Sequence, residues 1–179
     1  MFYIIALTLI AILAIFLIVV AMQPSDFRVE RSALMSAPPQ ACFDQVNDFH
    51  KWENWSPWAR LDPASKTTYE GPTSGNGAIF GWSGNNKVGE GRMTIIESRP
   101  GELVRIKLDF FRPFKGTNTA EFTFTPQVNQ TKVNWAMYGK ANFISKAFCL
   151  FMNQDKMLGG FFEKGLAQMK PLAESSTGM

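Results

Sequence analysis

The sequence of 179 residues predicts an α+β domain, in which a seven-stranded antiparallel sheet wraps around a long C-terminal helix, preceded by one N-terminal transmembrane helix. Three observations predict it. The chain starts with an uncharged apolar run, its middle alternates apolar with polar residues, and its last segment repeats apolar residues at helical spacing. A sheet with one apolar face needs a cover, and the last segment supplies it.

The N-terminal run, Phe2–Met22, contains no charged residue. At about 1.5 Å per residue it reaches about 30 Å, the thickness of a bilayer hydrocarbon core. A cleaved signal peptide is the alternative, and it would need a basic start and a small-residue cleavage site. No basic residue precedes the run and Val20-Ala21-Met22 is a poor cleavage site, so we predict a retained single-pass anchor over residues 2–22. Arg28 and Arg31 follow it, so the positive-inside rule predicts a cytoplasmic domain.

The composition excludes several classes of protein. Hydrophobic residues make up 46% of the chain and aromatic residues 13%, enough to fill a core, which excludes a disordered protein. A net charge of +3 is too small and too scattered for nucleic-acid binding. Two cysteines, Cys42 and Cys149, and a single histidine make neither a metal site nor a disulfide framework. We therefore predict no metal, cofactor or nucleic-acid partner, and leave the oligomeric state open.

The charged part of the chain divides into a linker, a domain and a tail. We place the linker at 23–26, the domain at 27–174 and the tail at 175–179. The predicted elements of the domain are a strand at 27–36, helices at 39–47 and 49–55, strands at 66–70, 78–83, 87–98, 103–111, 117–125 and 130–139, and a helix at 142–152. A long C-terminal helix follows, with Asp155 at its acidic start and Pro171 near its end.

The strand after the Pro100-Gly101 turn sets the register of the sheet. Ile106 and Leu108 face one side of it, and Arg105 and Lys107 the other. Because a slip of one residue would turn every side chain over, Arg105 and Lys107 are expected to face away from the C-terminal helix. The same alternation places Glu97 on the apolar face of the preceding strand, and Gly84-Asn85-Asn86 is predicted as a tight hairpin turn.

Four segments carry a resemblance to a known family: VNDFHKWENWSPWARLDP, TYEG, GNNKVGEGRMTIIESRP and FEKGLAQMK. With the order of elements, they resemble the START-like (SRPBCC) helix-grip superfamily, in particular its bacterial polyketide cyclase/dehydrase and lipid-transport group. The resemblance covers about residues 27–174 and its motifs are mostly structural. It implies a seven-stranded antiparallel sheet that grips the long helix, with a deep apolar cavity between them.

The candidate ligand-binding residues are the side chains expected to line that cavity. They are Trp52, Trp55, Tyr69, Trp82, Met93, Ile95, Ile106, Leu108, Phe110, Phe122, Phe124, Trp135, Met137, Phe161 and Leu166. Their apolar and aromatic character suits a hydrophobic ligand. The alternative is a packed core with no cavity, and periodicity does not separate the two. The tryptophans at every third position from Trp52 to Trp58 fit either a cavity wall or anchors for two short helices.

No ionisable group is predicted to be catalytic. His50 would need Asp48 or Glu53 as an orienting partner, and its neighbours Phe49 and Lys51 indicate a surface turn. The basic stretch 99–115 fits either anionic lipid headgroups or an ordinary polar face. We predict a membrane-anchored module that binds a hydrophobic small molecule or lipid in the cavity. A polyketide cyclase/dehydrase-like enzyme and a partner-protein-binding module are the alternatives.

Overall fold

The computed structural model describes residues 1–176, so part of the predicted C-terminal tail, 177–179, lies outside the described residues. The helices are α1 (Phe2–Met22), α2 (Pro39–Val46), a 3₁₀ turn at Phe49–Lys51, α3 (Trp52–Trp55), α4 (Phe143–Cys149) and α5 (Gln154–Ser175). The strands are β1 (Asp26–Met35), β2 (Lys66–Glu70), β3 (Ile79–Ser83), β4 (Glu90–Arg99), β5 (Leu103–Arg112), β6 (Gly116–Gln127) and β7 (Gln130–Lys140).

The seven strands form one antiparallel sheet in the order β1-β7-β6-β5-β4-β3-β2. Consecutive strands from β2 to β7 are neighbours because short turns join them, and β1 returns to pair with β7. The predicted α+β fold with a seven-stranded antiparallel sheet and a long C-terminal helix is confirmed. Ile106 and Leu108 are buried on the inner face, and Arg105 pairs with Glu121 on the outer face, so the predicted register of β5 is confirmed.

Helix α5 covers one side of the inner face. It packs on β1 and on α2 and α3. Arg31 of β1 lies under its first turns, where the guanidinium donates to Asp155 Oδ2 at 2.9 Å and to Glu163 Oε1 at 2.7 Å. A Cβ at Gly159 would collide with the Arg31 guanidinium, so a larger residue there would shift Arg31 relative to its two carboxylate partners. These contacts fix α5 against the β1 edge of the sheet.

Two features of β4 differ from the sequence prediction. The connection between β3 and β4 was predicted as a tight turn but is a six-residue loop, Gly84–Gly89. Two hydrogen bonds hold this longer loop in place: Trp82 Nε1 donates to Val88 O at 3.0 Å, and Asn85 N donates to Asp62 Oδ2 at 2.7 Å. The prediction that Glu97 shares the face of Ile95 is wrong. A bulge between Ile95 and Glu97 adds one residue to the strand and turns Glu97 to the outer face.

Pro171 lies near the end of the C-terminal helix, as predicted, and α5 continues past it to Ser175. A proline this close to a helix end removes one backbone hydrogen bond. Ala173 beyond it is fully buried, so the helix stays packed on the domain past the proline.

Helix α1 has 21 residues and is long and apolar enough to cross a membrane, a test that a signal sequence also passes. Nearly all of its side chains are exposed, and Val20 near its end is buried. Helix α1 contacts α4, where the rings of Phe16 and Phe151 stack with centroids 6.3 Å apart.

Candidate functional site

The inner face of the sheet has a closed half and an open half. The closed half lies under α2, α3 and α5, and tightly packed aromatic rings fill it. Trp135 is at the centre, with ring centroids 4.8 Å from Phe122 and 4.3 Å from Phe162. Trp52 and Trp55 fill the space above them, with their own centroids 4.6 Å apart. Aromatic rings thus occupy the space where the family resemblance implies a deep cavity.

Most of the candidate lining residues lie in this packed half. The buried ones are Trp52, Trp55, Ile95, Ile106, Phe122, Phe124, Trp135, Met137 and Leu166. Trp52 Nε1 donates to Val46 O at 2.9 Å and Trp55 Nε1 donates to Gln45 O at 3.0 Å, so both indoles also tie α3 to the end of α2. Phe161 is half-buried and stacks on Trp58 with centroids 5.3 Å apart. These side chains act as core and helix anchors.

The open half lies on β2 to β5, away from α5. Its half-buried rings form a continuous row, with centroid distances of 5.3 Å from Tyr69 to Phe80, 6.2 Å from Phe80 to Trp82 and 5.9 Å from Trp82 to Phe110. Met93 and Leu108 lie between these rings in the sheet and are almost fully buried. We call this surface, Tyr69, Phe80, Trp82, Met93, Leu108 and Phe110, the aromatic groove.

Gly91 makes room for the aromatic groove. Gly91 pairs with Trp82 on one side and Phe110 on the other. A Cβ on Gly91 would lie 2.6 Å from the Asp109 carbonyl oxygen and equally close to the Trp82 ring. The missing side chain therefore gives the indole room to lie across β4.

Five of the six groove residues were predicted from sequence, and Phe80 was missed. The signal for it was present, since Phe80 is two residues before Trp82 in the strand sequence IFGWS and so faces the same side.

The rim of the groove carries ionisable groups. His50 Nδ1 lies 2.9 Å from Asp48 Oδ1, and its ring stacks on Tyr69 with centroids 4.1 Å apart. Tyr69 OH lies 3.4 Å from Glu53 Oε1. Burial raises the pKa of Tyr69, and the negative charge of Glu53 raises it further. His50 is on the surface as predicted, and Asp48 supplies the orienting partner that the sequence left open.

A small pocket of about 210 Å³ opens beside this rim. Its walls are Phe49, His50, Tyr69, Glu70, Gly71, Pro72, Thr73, Ala78 and Ile79. It is smaller than most drug-sized ligand sites, which take roughly 300–1,000 Å³. A ligand in it could contact the His50 ring and the Tyr69 hydroxyl.

The other ionisable groups lie outside the groove. Glu97 pairs with Arg105 and Arg99 on the outer face. Burial raises the pKa of the Cys42 thiol to about 11, so this thiol stays protonated at neutral pH. Among residues 1–176, no group of three His, Cys, Asp or Glu side chains is placed to hold a metal ion.

Comparison with known families identifies a match over most of the chain. Residues 26–174 match the model of the family described as polyketide cyclase / dehydrase and lipid transport. No curated protein matches the chain.

Many solved structures share the fold. Protein CV1439 from Chromobacterium violaceum is 17% identical with a TM-score of 0.58, and the match covers 84% of this chain and 99% of that one. A Staphylococcus aureus protein of unknown function, SA2116, is 13% identical with a TM-score of 0.61, covering 86% and 97%. The di-domain ARO/CYC StfQ from the steffimycin biosynthetic pathway is 13% identical with a TM-score of 0.61, covering 87% of this chain and 53% of that one.

Proposed function

The chain belongs to the polyketide cyclase/dehydrase and lipid transport family, and from this premise we propose that it is a membrane-anchored module that binds a hydrophobic small molecule or lipid in the aromatic groove. Helix α1 is the anchor in this proposal. The tether raises the concentration of the groove near a membrane-derived ligand without any change in its contacts.

The observation that carries the proposal is the half-buried state of the aromatic row. Tyr69, Phe80, Trp82 and Phe110 are each partly exposed, although their neighbours in the sheet are buried. A continuous row of partly exposed rings leaves apolar surface that a bound ligand can still remove from water. An extended apolar chain lying along the row would bury these rings by shape and apolar contact, and it needs no ion pair.

The direct test measures uptake of a fluorescent fatty acid by the full chain in lipid nanodiscs. Phe110 and Phe111 make a matched pair, since they are adjacent and chemically identical, but Phe110 faces the groove while Phe111 is exposed. We expect Phe110→Ala to weaken binding about tenfold, equivalent to about 1.4 kcal/mol. Phe111→Ala should bind like the parent. Equal binding by both variants would contradict the proposal.

A second variant fills the groove instead of enlarging it. Leu108→Trp adds an indole beside Met93, and overpacking of this kind costs about 1–3 kcal/mol of stability, so folding is checked first by circular dichroism. A folded Leu108→Trp chain should take up little of the probe. Undiminished uptake would show that the probe binds elsewhere.

The side of the membrane is tested separately. We propose the cytoplasmic side, because Arg28 and Arg31 directly follow α1. Val128, in the turn between β6 and β7, is almost fully exposed, so Val128→Cys is a suitable reporter in a Cys149→Ser chain. The new thiol should resist an impermeant maleimide in intact cells and react after lysis. Labelling in intact cells would place the domain outside.

A second candidate function, cyclase-like proton transfer, is favoured by one observation. Asp48 holds the His50 ring against Tyr69 at the mouth of the small pocket, which is the arrangement of an oriented acid or base. In this case a poly-β-ketone test substrate should be turned over, and His50→Ala should lower the rate by about 10²–10⁴-fold with probe binding retained. If His50→Ala changes neither rate nor binding, the binding module is favoured.

A further inference from the structure

We propose that α4 and its flanking segments dock on the same bilayer that α1 crosses, so that the groove opens onto the lipid surface. The proposal rests on the proposed function, since it takes α1 as a membrane anchor. The docking surface consists of Phe114, Phe143, Ile144, Phe148, Phe151 and Met152.

Pairing in the sheet places this surface beside α1. Asp26, four residues after α1, pairs with Lys140, and Ala141 N donates to Ser25 O at 2.7 Å. Helix α4 begins three residues after Lys140. The turn that carries Phe114 is also close, since Asn142 Nδ2 donates to Lys115 O at 3.4 Å. The docking surface therefore lies at the end of the sheet where α1 enters.

The surface is apolar, and α1 covers only the part of it around Phe151. No residue of α4 is buried, and its phenylalanine and isoleucine side chains are about half exposed. Phe151, in the segment after α4, is 79% exposed. Soluble monomers rarely leave such a patch in water.

The contact between Phe151 and α1 indicates how deep the docking surface would lie in the bilayer. Phe151 stacks on Phe16, which is six residues before the end of α1. At about 1.5 Å per residue this is about 9 Å along the helix axis. If α1 spans the hydrocarbon core, the Phe151 ring lies at the depth where interfacial helices bury their apolar side chains, about 5–10 Å.

The charges around the surface fit lipid headgroups. Lys115, Lys140 and Lys146 lie at its edge, and none of the three forms an ion pair with another described residue. Lysines beside an apolar patch bind anionic headgroups with their ammonium groups while their stems stay apolar. A second copy of the chain is a poorer occupant, because symmetric packing would bring these lysines together. The surface therefore fits a bilayer.

Docking would orient the aromatic groove. Phe110 pairs with Gly116 and Trp82 with Gly91, close to the same end of the sheet. The groove thus runs to the docked end, and an apolar ligand could enter it from the bilayer without crossing water.

Cys149 is a native reporter at the end of α4. It is exposed, whereas Cys42 is buried with a raised pKa, so an NBD maleimide labels Cys149 alone. The labelled full chain is reconstituted in vesicles of phosphatidylcholine and phosphatidylglycerol. We expect blue-shifted emission and quenching by doxyl-labelled lipids. The control is the Cys149→Ser chain labelled at Val128→Cys, which should emit as in water and escape quenching.

The patch variant Phe148→Ser/Phe151→Ser should remove the blue shift and quenching at Cys149. Both side chains are exposed, so folding is expected to persist. Water-like emission from Cys149 in the parent, with the protein still resisting carbonate extraction, would overturn the docking proposal alone. Release by carbonate would instead reject the anchor of the proposed function. If the blue shift and quenching at Cys149 disappear when each vesicle holds one copy of the chain, a second copy and not the bilayer covers the surface, and the docking proposal is overturned.

Discussion

The ring of Trp135 in β7 stacks on the ring of Phe162 in α5, with centroids 4.3 Å apart and planes 13° from parallel. Gly165, one turn further along α5, lies over the same indole, and a Cβ there would be 2.7 Å from the Trp135 ring and 3.1 Å from Pro57. The packing of α5 on the Trp135 ring therefore depends on a residue without a side chain.

Substitution of Gly165 by alanine should destabilise the domain. Rings from α3, β6 and α5 surround the Trp135 ring and restrict its movement, so Gly165→Ala should cost about 1–3 kcal/mol, as overpacking does. Gly160 in the same helix is the matched control, since a Cβ there meets nothing within 4 Å. Gly160→Ala should raise stability by about 0.5–1 kcal/mol, because alanine is the better helix former. Urea unfolding in a mild detergent measures both, and a stabilising Gly165→Ala would contradict this packing.

The ion pairs of Arg31 should make stability depend on acid pH. The hydrogen bond from Arg31 lowers the pKa of the Asp155 carboxyl in the folded state. The unfolded state therefore takes up the proton first, and the stabilisation is present above the unfolded pKa of about 3.9 and lost as pH falls through the folded value. Asp155→Asn should be less stable than the parent at pH 7, and the difference in stability should be smaller at pH 2.5.

The control for this comparison is Asp26→Asn. Asp26 forms no ion pair with any other residue in the range 1–176, so this variant should track the parent at both pH values. A difference in stability between the parent and Asp155→Asn that is as large at pH 2.5 as at pH 7 would assign the effect to packing.

The alternation of apolar and polar residues predicted the sheet, because a strand can be recognised even when its first and last residues are placed one or two positions off. The alternation around Ile106 determines which side chains of β5 face the core. With that face set, β5 can pair with its neighbours β4 and β6 in one register only. Glu97 was placed on the wrong face because one bulged residue inverts everything after it, and the ESRP stretch carries no mark of a bulge. A local sequence pattern indicates that a segment is a strand, but a bulge depends on how that strand pairs with the neighbouring strand.

The extent of packing in the core could not be predicted from sequence either. Trp52, Trp135 and Trp82 all read as inward-facing aromatics. Trp52 and Trp135 meet rings from α3, β6 and α5, whereas Trp82 lies on strands that α5 does not cover. That distinction depends on where α5 crosses the sheet, which Arg31 and the small residues Gly159 and Gly165 determine through tertiary contacts.

The two thiols should differ in reactivity. The thiolate is the reactive form, and burial raises the pKa of Cys42 to about 11, while Cys149 is exposed. In detergent at pH 8, we expect Ellman's reagent to titrate one thiol rapidly and the second only after urea is added. Cys149→Ser should abolish the rapid phase and Cys42→Ala should leave it unchanged. Two rapid equivalents in the folded parent would contradict the burial of Cys42.

The rim of the groove should show an alkaline dependence that originates at Tyr69. Burial and the charge of Glu53 raise its pKa, so the folded state holds the phenolic proton at a pH where the unfolded chain has released it. The unfolded tyrosine ionises near pH 10, so stability falls as pH rises from about 10 towards the folded value. Glu53→Gln removes the negative charge and should lower the pKa of Tyr69, although it should stay above the ordinary value because burial remains. Ring-¹³C tyrosine NMR follows this titration, with Tyr69→Phe used to assign the resonance. An unchanged titration in Glu53→Gln would show that burial alone raises the pKa, and that Glu53 does not act on the Tyr69 hydroxyl at the mouth of the pocket.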